Sequence, residues 1–131
     1  MKMIPYEDLI VRKSFLLPFR GGEIWALEVD ALSLHTKLAT EKFKQDIKYA
    51  WRPSTTSRVA IHLKDTGLND TFINAIIDGL NGSKGNIVRV AFIGVEPEYV
   101  NTLREALAKN TSGIAFQFFK DYEKGKEWLL P

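Results

Sequence analysis

The chain has 131 residues, a formal net charge of +2 and no cysteine. This length is enough to bury the core of one compact domain, and 45% hydrophobic with 26% charged residues is ordinary for a globular protein. The absence of cysteine excludes disulfides, thiolate metal ligands and cysteine nucleophiles, and the small net charge gives no reason to expect a nucleic-acid or membrane surface.

The N-terminal sequence does not indicate export. The opening stretch, MKMIPYEDLIVRK, carries acidic side chains early and lacks the apolar core of a signal peptide. No apolar run in the chain approaches the ~20 residues that a membrane span needs. We therefore expect one cytoplasmic domain over residues 1–131 that does not span a membrane.

The first part of the chain predicts a β-hairpin followed by a helix. Residues 8–19 contain two apolar bursts, and residues 23–29 (EIWALEV) indicate a strand after a turn at 21–22. Between 34 and 51 the apolar side chains recur at helical spacing, with charged residues on the other side. Pro53 ends this helix before a loop of Ser and Thr.

A strand and the helix after it form the centre of the predicted fold. Residues 59–63 (VAIHL) are mostly apolar and partly β-branched, which is typical of a strand buried on both faces. After turn residues come Asn69, Asp70 and Thr71, whose short side-chain oxygens can accept from the free N–H groups of a first helical turn. Apolar residues between 72 and 80 then share one helix face. We expect any function to lie at the turn between this strand and this helix.

The second half of the chain repeats the strand–helix alternation. Residues 87–93 and 114–119 indicate two further buried strands. Glu96, Pro97 and Glu98 begin one helix, and Asp121 caps the last one. The predicted order is β-β-α-β-α-β-α-β-α, an α/β fold with a mixed, mostly parallel sheet of about five strands and about four helices.

This order resembles the STAS domain, the SpoIIAA-like fold of anti-sigma factor antagonists and stressosome scaffold proteins. Residues 70–73 (DTFI) match the family's Asp-Ser or Asp-Thr followed by Phe and an apolar helix. Residues 93–97 (IGVEP) resemble the family's strand ending in Gly-x-x-Pro before the third helix. The chain departs from the family in having His62 or Lys64 where the central strand often ends in Asp, and Phe72 where Gly often follows the hydroxyls.

The resemblance implies a non-enzymatic regulatory domain without a cofactor, which binds a protein partner such as an anti-sigma factor or a serine/threonine kinase. It also implies that Thr71 is phosphorylated and that this modification switches binding. An oligomer is compatible with this function. The implied partner surface follows two neighbouring strands and comprises Lys64, Asp65, Asn69, Asp70, Thr71, Phe72, Glu96 and Pro97.

Two alternatives stay open at this point. From the residues alone, Asn69, Asp70 and Thr71 can be nothing more than helix caps. A likeness to STAS-like proteins thought to hold an apolar ligand also allows a small-molecule or lipid-binding module, with an apolar pocket beneath the helix over 71–80.

The residue types do not predict a catalytic or metal site. No set of acid, base and nucleophile is visible. The chain has two histidines, His35 and His62, whereas a metal site normally needs three or four ligands. We expect His62 to be packed or hydrogen-bonded within its strand. A group of basic residues is expected to form a solvated helix face, namely Lys42, Lys44, Lys48, Arg52 and Arg58.

Overall fold

The computed structural model describes residues 13–30, 35–52 and 57–131. Predictions that concern residues 8–12, 31–34 and 53–56 lie outside these ranges. The described strands are β1 (Phe15–Phe19), β2 (Gly22–Glu28), β3 (Arg58–His62), β4 (Arg89–Ile93) and β5 (Ala115–Phe119). The α-helices are α1 (Thr36–Asp46), α2 (Asp70–Asn81), α3 (Pro97–Asn110) and α4 (Tyr122–Leu129), and a 3₁₀ helix, Ile47–Trp51, directly follows α1. This order confirms the predicted α/β fold.

The strands form one five-stranded sheet in the order β1-β2-β3-β4-β5. The pair β1–β2 is antiparallel and the other pairs are parallel, as the alternation of strands and helices predicts. The hairpin turn lies at Arg20 and Gly21, one residue before the predicted position. Both residues have positive φ (50° and 78°), which is the backbone conformation that a two-residue hairpin turn favours.

Helices cover both faces of the sheet. Side chains from α1, α2 and α3 share the larger core with alternate residues of β2, β3 and β4, among them Leu27, Ile61 and Phe92. The residues between them face α4 and form a second cluster, with Ala60 and Ile93 against Leu129. Burying one such Leu, Ile or Phe side chain stabilises the fold by roughly 1.5–3 kcal/mol.

Helix α4 lies close to the sheet because small residues meet there. A Cβ atom added at Gly125 would lie 2.6 Å from Ile93 Cδ1 and 3.6 Å from Ala91 Cβ. Asp121 caps this helix, since its side chain accepts a hydrogen bond from Lys124 N–H at 3.1 Å, which confirms the predicted start. The close approach brings Tyr122, in the first turn of α4, over the ends of β2 and β3.

Within the described ranges, no helix combines the length and the apolar character that crossing a membrane requires.

Candidate functional site

The first turn of α2 assigns different roles to the three predicted cap residues. Asn69 is the N-cap, and its Oδ1 accepts a hydrogen bond from Phe72 N–H at 2.8 Å. Asp70 lies in the first turn, where an acidic side chain suits the positive end of the helix dipole. Thr71 is exposed, and its hydroxyl makes no hydrogen bond within the part of the chain that the structure describes. Capping is therefore the role of Asn69, and the hydroxyl of Thr71 remains accessible.

The residues of the implied partner surface differ in exposure. Phe72 is 0% exposed and packs against Phe43 in the larger core, with ring centroids 6.1 Å apart. It can support the surface from below but cannot touch a partner. Glu96 is half-buried. The remaining six side chains are exposed, namely Lys64, Asp65, Asn69, Asp70, Thr71 and Pro97.

The loops after β3 and β4 are in direct contact. The backbone N–H of Asp65 donates to Glu96 Oε1 at 3.2 Å. Gly94 has a φ of +72°, and a Cβ atom there would lie 2.9 Å from Lys64 Cβ and 3.2 Å from Lys64 Cα. The two loops therefore form one continuous surface, as expected for the carboxyl ends of neighbouring parallel strands. We call this surface, residues 64–71 and 94–97, the loop surface.

The loop after β3 is also tied to the end of β2. Thr66 is buried, and its hydroxyl donates to the backbone carbonyl of Val29 at 2.8 Å. This contact holds the loop surface next to a second group of polar side chains, which lies on the α4 side of the sheet.

That second group is centred on Glu28 and His62. These residues end β2 and β3 and are directly paired in the parallel register. Glu28 Oε2 lies 2.8 Å from His62 Nδ1, and Glu28 Oε1 accepts from the Tyr122 hydroxyl at 3.1 Å. The Tyr122 ring also meets the His62 ring edge-on, with centroids 5.1 Å apart. We call Glu28, Asp30 and His62 the carboxylate–histidine cluster.

Asp30 completes this cluster. Its Oδ1 lies 3.6 Å from His62 Nδ1, and its side chain is 7% exposed. The side chains of Glu28 and His62 are 8% and 12% exposed. Burial of Glu28 raises the pKa of its carboxyl group, but hydrogen bonds and charge from His62, with further hydrogen bonds from Tyr122 and Asp30, outweigh burial and hold that pKa below its ordinary value of 4.5. Glu28 is therefore an ionised carboxylate at neutral pH.

A pocket of about 290 Å³ opens beside the cluster. Glu28, His62 and Tyr122 form its polar part, and Phe15 and Leu17 of the edge strand β1 form its apolar part. Lys126 also lines it and pairs with Glu123 at 2.9 Å. Such a mixture of apolar walls and a few convergent polar groups is typical of small-molecule sites.

The inner face of α2 is packed. Phe72 and Ile76 are fully buried and Leu80 is 1% exposed, all within the larger core. A groove of about 280 Å³ does run along α2, but Glu41, Trp51 and Asp78 line it, on the outer side of the helix where α1 passes. This packing does not favour an apolar ligand beneath α2.

Sequence reasoning missed the carboxylate–histidine cluster. The expectation that His62 is packed or hydrogen-bonded is confirmed, since its Nδ1 lies 2.8 Å from Glu28 Oε2. The sequence pattern indicates only that Glu28 belongs to a strand, and it assigns no role to Asp30. The sequence does contain a signal for this cluster. An acid and a histidine each lie at the carboxyl end of an otherwise buried strand, where polar side chains need hydrogen-bond partners.

Comparisons with protein-family models, curated proteins and solved structures yield no match to this chain. The likeness to the STAS domain therefore rests on the order of elements and on the two motifs at 70–73 and 93–97.

Proposed function

We propose that this chain is a non-enzymatic regulatory domain that binds a protein partner through the loop surface, in the manner of an anti-sigma factor antagonist. Phosphorylation of Thr71 switches that binding. The observation that carries the proposal is the accessible hydroxyl of Thr71 on the first turn of α2, which has no capping role because Asn69 performs it.

The shape of the loop surface supports this function. The hydrogen bond from Asp65 to Glu96 and the close approach of Gly94 to Lys64 join two loops into one patch. Buried Thr66 and Phe72 anchor the patch from below. A patch that is fixed before a partner arrives loses less conformational entropy on binding than a flexible one.

The charge pattern explains how a phosphate would act. A phosphoryl group adds roughly −1.5 to −2 charge at neutral pH. On Thr71 it would lie at the positive end of the α2 dipole, so the helix itself tolerates it. The exposed carboxylate of Asp70 stands next to it, so the modified surface is strongly acidic and repels an acidic partner. The modification thus changes the surface without unfolding the domain.

Affinity capture with defined variants tests this function. The full chain is immobilised as wild type, Thr71→Ala, Thr71→Glu and Thr102→Glu, where Thr102 is an exposed threonine of α3 and provides the matched control. Proteins retained from a lysate of the source cells are quantified by mass spectrometry. We expect a kinase-like or sigma-regulating protein on wild type, Thr71→Ala and Thr102→Glu, and its loss on Thr71→Glu.

Two results would contradict the proposal. If all four baits retain the same proteins in the same amounts, Thr71 is not a switch. If only metabolic enzymes are retained, the regulatory function is wrong. Phosphopeptide mapping of protein isolated from the source cells checks the modification itself.

A small-molecule-binding role is the second candidate, and the pocket beside Tyr122 is the observation that favours it. Its volume of about 290 Å³ suits a small polar molecule better than a lipid chain. Saturable binding of a fluorescent fatty acid would instead support the lipid-binding alternative. We do not expect such binding, because the inner face of α2 is closely packed.

A further inference from the structure

We propose that the carboxylate–histidine cluster binds a divalent transition-metal ion, with Glu28, Asp30 and His62 as its protein ligands. Each residue offers one ligand atom, and the three atoms lie within 4.8 Å of one another. The inference is independent of the regulatory function, because it rests on other residues and on the α4 side of the sheet.

The distances suit a common metal ion. Metal–oxygen and metal–nitrogen bonds are roughly 2.0–2.2 Å long, so neighbouring ligands of one ion are roughly 2.8–3.6 Å apart. His62 Nδ1 lies 2.8 Å from Glu28 Oε2 and 3.6 Å from Asp30 Oδ1. Two of the three separations therefore already match those that a single ion requires, and the third, between Glu28 and Asp30, is at most 4.8 Å.

The charge balance also favours a cation. Two carboxyl groups and one imidazole lie close together, and each side chain is 12% exposed or less. The negative charge of Glu28 attracts a cation, and this attraction is stronger than it would be in bulk water because the side chain is mostly buried. A divalent ion carries more positive charge than an imidazole can, so Glu28 attracts it more strongly.

The ligand types narrow the choice of metal. Two carboxylate oxygens and one imidazole nitrogen suit Mn²⁺ and Fe²⁺, and also accept Zn²⁺, whereas Mg²⁺ and Ca²⁺ prefer oxygen ligands alone. The Tyr122 hydroxyl holds Glu28 Oε1, which leaves Oε2 directed at His62. Such outer contacts fix the orientation of metal ligands in general.

The pocket gives access to the ion. Glu28 and His62 line it, so a water molecule or a small ligand can reach the metal from that side. Phe15, at the edge of the sheet and 43% exposed, stands at the same opening. A metal ion with three protein ligands and an open position is characteristic of sites that bind or activate a further molecule.

Mn²⁺ titration of tag-free, chelator-treated full chain tests the site. Binding is followed by calorimetry and by EPR of free Mn²⁺, with one ion expected per chain. We expect Glu28→Gln and Asp30→Asn to weaken binding by at least about tenfold, because even the loss of a hydrogen bond to a metal ligand typically weakens metal binding by about 10- to 100-fold. Glu23→Gln makes the same chemical change at an exposed position of β2 and should bind as wild type does.

Pulsed EPR detects an imidazole nitrogen bound to Mn²⁺. Because the chain has two histidines, removing each in turn shows which one supplies that nitrogen. In His35→Gln the imidazole of His62 is the remaining one, so bound Mn²⁺ should keep its imidazole nitrogen coupling. His62→Gln should lose that coupling. This design does not depend on the folding of the His62 variant. Bound Mn²⁺ without nitrogen coupling in His35→Gln would overturn the proposal, as would no Mn²⁺ binding to wild type or equal affinities of Glu28→Gln and Glu23→Gln.

Discussion

Glu28 and His62 face each other across the parallel strands β2 and β3, and their side chains meet at 2.8 Å on the face that α4 covers. The pair lies at the carboxyl ends of both strands, next to the loop surface. The Tyr122 hydroxyl binds the other oxygen of Glu28. The ionised carboxylate of Glu28 is thus held between β2, β3 and α4, which are far apart in sequence. Its contribution to the free energy of unfolding can be measured.

Tyr122→Phe should destabilise the domain by about 1.5–3 kcal/mol, because it removes a hydrogen bond to a charged and mostly buried carboxylate. Urea unfolding at neutral pH measures the change in the free energy of unfolding. Tyr99→Phe is the control, since Tyr99 is also half-buried and its hydroxyl makes no hydrogen bond to any described residue. Equal losses in the two variants would show that the contact with Glu28 contributes nothing.

Acid should destabilise the wild-type domain more than Glu28→Gln. The pKa of Glu28 is lowered in the folded state from 4.5, so its ionised form is stabilised by folding. That contribution is fully present above the unfolded pKa and is lost as the pH falls through the lower, folded pKa. Urea unfolding of metal-free protein between about pH 6 and pH 3 should show a steeper loss in wild type below about pH 4.5.

In the same series Glu23→Gln should follow the wild-type curve, because Glu23 is exposed. If the curves of wild type and Glu28→Gln run parallel into acid, the folded protein does not favour the ionised form of Glu28.

Gly94→Ala should cost more stability than Gly113→Ala. Both glycines have positive φ, 72° and 76°, a conformation that costs an L-residue about 1–2 kcal/mol. A Cβ atom at 113 meets nothing within 4 Å, whereas one at 94 would meet the backbone of Lys64. Thermal unfolding of both variants separates strain from contact. Equal losses of thermal stability would mean that the backbone at Gly94 does not approach Lys64 closely.

Asn69→Ala and Thr71→Ala should differ in stability although the residues are two positions apart. Loss of the Asn69 cap should cost about 0.5–2 kcal/mol, since its side chain holds Phe72 N–H. Thr71→Ala should stay within about 0.5 kcal/mol of wild type, as an exposed residue without such a bond. Chemical denaturation measures both. If Thr71→Ala lowers the free energy of unfolding as much as Asn69→Ala does, Thr71 also caps the helix.

The sequence by itself determined the order and type of the elements. Apolar runs and helical spacings of apolar residues are local properties, so the central strand, predicted over 59–63 and observed as β3, and the helix after it could be predicted without knowing any contact. Capping is equally local, and both Asn69 and Asp121 perform it as expected. The burial of Phe72 follows from the same helical pattern, although its place in the family motif had assigned it to the partner surface.

Only the tertiary structure decided which polar side chains meet. Glu28 and His62 are 34 positions apart, and Glu28 and Tyr122 are 94 apart. Their contact requires that β2 and β3 be neighbours in one register and that α4 cross to the face opposite the other helices. Gly125 and Ala91 permit α4 to approach that face closely. Local patterns of hydrophobicity do not encode strand order, register or the side on which a final helix packs, because these depend on the free energy of the assembled core.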